Sequence, residues 1–225
     1  MNRCWRLLKV LGFALAVALF AAGCGLSNEG SGGSQGGGEQ ASDSSGEEVS
    51  VGETEAIVWG TGDRGAVLAH GAAYDAASWE DQGRTLAENG VVALAVEETS
   101  ANNVRSAINY LKEDYGVGSV ALIGASAGSR GVLEAAGANP EEVGQIILLS
   151  GMGDVSGLGE QPKLFVASEG EGGLAEEVTR MAEEAPGAEN EALLLPGDAH
   201  AQAVFQTEEG ERLIQTILER LEEYG

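Results

Sequence analysis

The chain has 225 residues, with 36 acidic side chains against 12 basic ones and a formal net charge of −24. So acidic a body repels phosphate backbones, and no basic stripe offsets the repulsion, which excludes nucleic acid as a partner. Both cysteines, Cys4 and Cys24, lie near the N-terminus, so the rest of the chain offers no thiol for a disulfide, a nucleophile or a metal site.

In chain order, Arg3, Arg6 and Lys9 precede an apolar run over 10–22 that is too short to span a bilayer comfortably, the layout of a secretory signal. The closing Leu19-Phe20-Ala21-Ala22-Gly23-Cys24 resembles a bacterial lipoprotein signal, in which small residues precede a cysteine that is acylated and becomes the mature N-terminus. Ala21 stands where that family more often has leucine. The resemblance implies a signal peptide over 1–23, a lipid on Cys24 and a place on the cell membrane facing outside the cytoplasm. An ordinary cleaved signal and a short uncleaved anchor are the other readings. Residues 24–54 are rich in Gly, Ser, Gln and Glu and nearly free of apolar side chains, so they read as a flexible tether to a single domain over 55–225.

From there, short apolar runs at 56–59, 66–69, 91–96, 119–123, 145–149, 163–167 and 192–195 alternate with segments of helical period. Unbroken apolar strands separated by helices predict an α/β domain: a mostly parallel central sheet with helices on both faces. Ser78 and Asp81 suggest a helix start, Asn89-Gly90 a left-handed stop, Asn103 the start of the next helix and Tyr115-Gly116 its end.

Gly124-Ala125-Ser126-Ala127-Gly128 fits the pattern G-x-S-x-G, although in a chain with 35 glycines the five residues alone are weak. Context strengthens them. The aliphatic run at 120–123 leads in and a helical segment from Arg130 follows, the strand–turn–helix setting of a nucleophile elbow. Small neighbours let Ser126 project at a helix N-terminus, where the Ala127 amide can stabilise a developing oxyanion. A serine hydroxyl needs a base, and the chain holds only His70 and His200. His70 directly follows a strand, whereas His200 lies after the last strand and before the final helix, a position suited to a base on a loop.

Over about 57–224 these residues resemble the α/β-hydrolase family, especially its small, lidless dienelactone-hydrolase-like and esterase members. The resemblance implies an α/β-hydrolase fold without a cap domain, with Ser126 as nucleophile and His200 as base in the order serine, acid, histidine. His70-Gly71 is similar to the family's His-Gly turn, which implies a structural role for His70 and a second oxyanion amide from Ala72. Glu171 matches the acid position, with glutamate where aspartate is more usual; Glu169 and Asp198 remain alternatives. The reaction implied is hydrolysis of a small ester-like substrate through an acyl-enzyme on Ser126, with no metal or organic cofactor. Thioester or peptide chemistry with the same triad, or a non-catalytic surface-binding lipoprotein on this scaffold, are the competing readings. Only thirteen residues, 150–162, separate two predicted strands, too few for a helical cap, so the site should be open, with Tyr74, Trp79 and Met152 as candidate walls.

Overall fold

The computed structural model describes residues 45–225. Its strands and helices, in chain order, are β1 (Glu47–Val51), β2 (Thr54–Trp59), β3 (Arg64–Ala69), α1 (Glu80–Glu88), β4 (Val91–Val96), α2 (Ala101–Asp114), β5 (Ser119–Ala125), α3 (Gly128–Ala138), β6 (Gln145–Leu149), β7 (Lys163–Ser168), α4 (Gly173–Glu184), β8 (Asn190–Leu195) and α5 (Gly210–Tyr224). The strands form one sheet in the order β1-β2-β4-β3-β5-β6-β7-β8. The pairs β1·β2 and β2·β4 are antiparallel and the other five are parallel.

Strand side chains alternate between two apolar layers, as a pleat with both faces covered requires. Val67, Leu94, Leu122, Ile146 and Phe165 point to one layer, where Val104 and Ile108 of α2, Val132 of α3 and Met181 of α4 pack. Leu68, Ala93, Ile123, Ile147 and Leu164 point to the other, closed by Leu86 of α1 and by Leu213, Ile217 and Leu221 of α5. This is the α/β layering expected from the unbroken apolar runs. Because β4 and β5 flank β3, the chain reverses its direction of travel across the sheet there. At such a switch point the loops leaving the carboxyl ends of the strands diverge and open a crevice.

Three expectations are corrected. Glu47–Val51 is a strand although it falls inside the expected tether, so the folded region starts before residue 55. Its alternation, with only Val51 fully buried, is diluted by Glu47, Glu48 and Ser50, as suits an edge strand that must cover just one neighbour. Asp75, not Ser78, caps the turn that leads into α1, its side chain accepting from the Ser78 amide at 3.0 Å. Ser100, not Asn103, caps α2, because its hydroxyl accepts the Asn103 amide. Residues 1–44, including Cys24 and the expected signal, lie outside the described residues.

Two features hold the elements that will matter for the site. The Lys163 side chain is fully buried at the start of β7 and donates to the carbonyls of Gly159, Gln161 and Pro186 at 2.6–2.8 Å. Burial pulls its pKa down to about 8, which still leaves the ammonium charged at neutral pH to pin three loop carbonyls. Helix α3 presses on the loop after β4 at Gly131, where an added Cβ would lie 1.8 Å from the Thr99 carbonyl oxygen. The substitution Gly131→Ala is therefore expected to cost about 1–3 kcal/mol of stability. It should appear as an earlier urea midpoint with unchanged slope; an unmoved midpoint would mean that α3 can back away freely.

Candidate active site

Ser126 follows β5 directly and begins the turn into α3. Its backbone is left-handed, with φ of 46°, a conformation that costs a non-glycine residue on the order of 1–3 kcal/mol. The surroundings hold it there. Its amide donates to the Leu149 carbonyl at the end of β6 (2.8 Å), and its carbonyl accepts from the Ser129 amide (3.1 Å). Gly128 must be glycine-sized, since a Cβ there would meet the Ala69 carbonyl oxygen at 2.4 Å. The turn thus wedges between the ends of β3 and β6 and leaves the Ser126 side chain half-exposed.

Glu171, in a short turn after β7, and His200, after β8, complete a chain of contacts to that hydroxyl. His200 Nε2 lies 2.8 Å from Ser126 Oγ, and His200 Nδ1 lies 2.6 Å from Glu171 Oε1. An ionised carboxylate only accepts, so Nδ1 carries the ring proton and Nε2 is left to accept from the serine hydroxyl. The Glu171 side chain is 7% exposed and that of His200 54%, so a shielded charge orients a ring that faces solvent. Among the three carboxylates left open by the sequence, only Glu171 bonds the ring; Glu169 and Asp198 are exposed.

Two serines that sequence reasoning missed hold the carboxylate. Glu171 Oε2 accepts from the Ser168 amide at 2.7 Å and from the Ser150 hydroxyl at 2.8 Å. Ser150 Oγ in turn accepts from the Ala201 amide at 2.9 Å, beside His200. The Ser168 hydroxyl donates to the Ala199 carbonyl at 2.6 Å, on the other side of the histidine. Ser126, Ser150 and Ala201 are the non-glycine residues with positive φ among the described residues, and all three belong to this network. Ser150 offered one signal: it follows β6 just as Ser126 follows β5.

The turn after β3 lies against the serine. A Cβ on Gly71 would touch Ser126 Cβ at 3.5 Å. Ala72 stands at the corner of this turn, closed by a bond from the Tyr74 amide to the Gly71 carbonyl (3.0 Å), and Ala127 stands at the start of α3, where backbone amides lack helical partners. Both are exposed. His70 is kept apart from Ser126: its ring nitrogens face the carbonyls of Gly71 (2.9 Å) and Glu97 (3.0 Å). Of the expected walls, Tyr74 would lie 3.6 Å from a Cβ added at Gly71, and Met152, 62% exposed, lines a groove of about 460 Å³ with Asp154, Val155 and Arg180 whose lining includes none of Ser126, Glu171 and His200. Trp79 is not a wall. It is 1% exposed, packed edge-on against Phe205 in the core, because the turn after Asp75 directs it inward. Residues 150–162 contain no helix. Among the described residues, no group of three or more His, Cys, Asp or Glu side chains is arranged to hold a metal ion.

No family model and no curated protein matches the amino-acid sequence. Solved structures do match the fold. The dienelactone hydrolase from Anabaena variabilis ATCC 29413 is 18% identical, with 80% of this chain and 96% of that one covered and a TM-score of 0.64. The monoacylglycerol lipase from Paleococcus ferrophilus is 14% identical, with 77% and 100% covered and a TM-score of 0.63. An α/β-hydrolase enzyme, MGS-MChE2, from the metagenome of sediments from the lagoon of Mar Chica, Morocco, is 16% identical, with 77% and 98% covered and a TM-score of 0.62. The fold is that of the α/β-hydrolases. In this α/β-hydrolase scaffold Ser126, Ser150, Glu171 and His200 leave the carboxyl ends of β5, β6, β7 and β8 in turn, on the edge where the crevice opens.

Replacing Ser150 by alanine keeps the left-handed backbone at the same steric cost and removes only the hydroxyl. The buried Ala201 amide then has no partner, and the domain is expected to lose about 1–3 kcal/mol of stability. Urea unfolding of the Ser150→Ala variant measures this; a loss below about 0.5 kcal/mol would mean that water replaces the hydroxyl.

Proposed function

We propose that the protein is a serine hydrolase that cleaves a carboxylic ester through an acyl-enzyme on Ser126, with His200 as general base and Glu171 as the acid that orients it. The observation that carries the reading is the unbroken chain from Ser126 Oγ to His200 Nε2 (2.8 Å) and from His200 Nδ1 to Glu171 Oε1 (2.6 Å). In this scheme His200 takes the hydroxyl proton as Ser126 attacks the carbonyl carbon. Glu171 stabilises the imidazolium so formed, without itself taking the proton. The amides of Ala72 and Ala127 receive the negative charge on the former carbonyl oxygen. His200 then protonates the departing alkoxide, and a water activated by the same ring releases the acid and restores Ser126.

An ester of modest size suits the short, helix-free segment over 150–162 and a half-exposed base, which together leave the cleft open to solvent. The names of the structural neighbours, a dienelactone hydrolase and a monoacylglycerol lipase, belong to the same broad chemistry. Nothing in the scheme calls on a metal or an organic cofactor.

Purified residues 45–225 should react with a fluorophosphonate probe and hydrolyse short esters. Ser126→Ala should abolish labelling and lower kcat on the order of 10⁴-fold at unchanged stability. Absence of labelling in the folded wild type would favour a binding role for the scaffold instead.

We further propose that Cys24 carries a lipid that holds the protein to the cell membrane outside the cytoplasm, with the glycine- and serine-rich stretch as a spacer. Support comes from the small residues before Cys24 and the basic, then apolar, leader. Expressed with its leader in a bacterium fed radiolabelled palmitate, the wild type should incorporate label and partition with membranes. Cys24→Ser should do neither, and equal labelling of both would remove the proposed anchor site.

A further inference from the structure

Gln202 lies two residues beyond His200, in the short turn Ala201–Gln206, and is only 5% exposed. Both ends of its amide are engaged across the crevice. The oxygen Oε1 accepts from the Gly71 amide at 2.8 Å, and Nε2 donates to Ser78 Oγ at 2.9 Å. The Ser78 hydroxyl in turn donates to the Asp75 carbonyl at 2.5 Å, so donor and acceptor directions agree along the whole path. One buried side chain from the histidine loop therefore grips both ends of the segment 71–78.

We infer that Gln202 is a positioning residue for the oxyanion-stabilising turn, tying the aim of the Ala72 amide to the loop that carries the base; this rests on the serine-hydrolase reading above. A trans peptide is planar, and its C=O and N–H point in opposite directions. The Gly71 carbonyl and the Ala72 amide belong to one such plane. The carbonyl is held by the Tyr74 amide, while Gln202 holds the amide on the near side of Gly71. With both polar groups of Gly71 bound, the plane has little freedom to rotate, and the Ala72 N–H keeps its direction without further support. A Cβ added at Gly71 would lie 3.5 Å from Ser126 Cβ, so the turn passes close to the serine and a rotation of this plane would move the donor relative to the reacting carbonyl. Gln202 touches no reacting atom and acts only through Gly71.

The bond and its role are tested separately. Hydrogen exchange on the wild-type protein should show the Gly71 amide strongly protected and the exposed Ala72 amide not; equal exchange of the two would overturn the inference, whatever the enzyme does. Two variants then read the role. Gln202→Leu removes the acceptor at similar volume, and Gln202→Glu retains an acceptor for the Gly71 amide. Gln202→Leu should lower kcat about 10-fold or more with KM within about twofold, as a misaimed catalytic group does. Its affinity for a trifluoromethyl ketone, which forms a tetrahedral oxyanion on the serine, should fall in parallel with kcat/KM. Gln202→Glu should recover most of the loss. Rates are taken per active site, counted by fluorophosphonate titration, so that misfolded protein does not register as slow protein. A per-site kcat within twofold of wild type in Gln202→Leu, or equal impairment of the two variants, would overturn the positioning role. Failure of the wild type to label would instead sink the serine-hydrolase reading, with the exchange result still deciding whether the bond exists.

Discussion

The left-handed backbone at Ser126 is the constraint around which the neighbouring structure is organised. It would relax if the chain were free, so three strands hold it: β5 delivers it, the end of β6 accepts its amide, and the end of β3 leaves space for Gly128 and nothing larger. The same crowding brings the turn after β3 close to the serine. Packing that keeps a strained residue in place thereby also brings the proposed oxyanion donor, the Ala72 amide, toward it, and one geometric demand serves two purposes.

Electrostatics in the site depend on unequal exposure. Glu171 is nearly closed off from water, yet its two oxygens receive three hydrogen bonds, from His200, Ser150 and the Ser168 amide, so the charge replaces the hydration it has lost. Its histidine partner stays in contact with solvent. A shielded, fully bonded carboxylate and an open ring suit a base that must stay oriented while exchanging protons with a hydroxyl and then with water.

The sheet and its layering were legible because buried parallel strands must be apolar without interruption, and the runs around residues 67, 94, 122, 147 and 165 have no other stable use. Ser126 and His200 stood out for a different reason: a chain with two histidines leaves little choice of base, and an aliphatic strand leading into a small-residue turn is a rare context. Glu171 could be preferred but not separated from Glu169 and Asp198, since three neighbouring loop carboxylates differ only in where the fold aims them. Ser150, Ser168 and Gln202 escaped notice because a serine or glutamine bears no mark of its partner; theirs lie 21, 31 and 131 residues away and meet them only after the strands have paired. Trp79 and β1 misled in opposite ways, the first by lying near the site in sequence while burying itself, the second by being polar enough to pass for linker.

His200, the base of the proposed mechanism, hangs from one edge of the sheet. β8 is an edge strand, paired on one side only, and of its six residues Leu195 alone is fully buried. Opening that edge would cost fewer apolar contacts than melting the central strands, so it forms a natural unit of local unfolding. Such an opening would draw His200 away from Ser126 while leaving the elbow and most of the core intact. Under the proposed mechanism the molecule would then be folded by most measures and inert, and its working range would be set by the hold of one peripheral strand rather than by the stability of the whole domain.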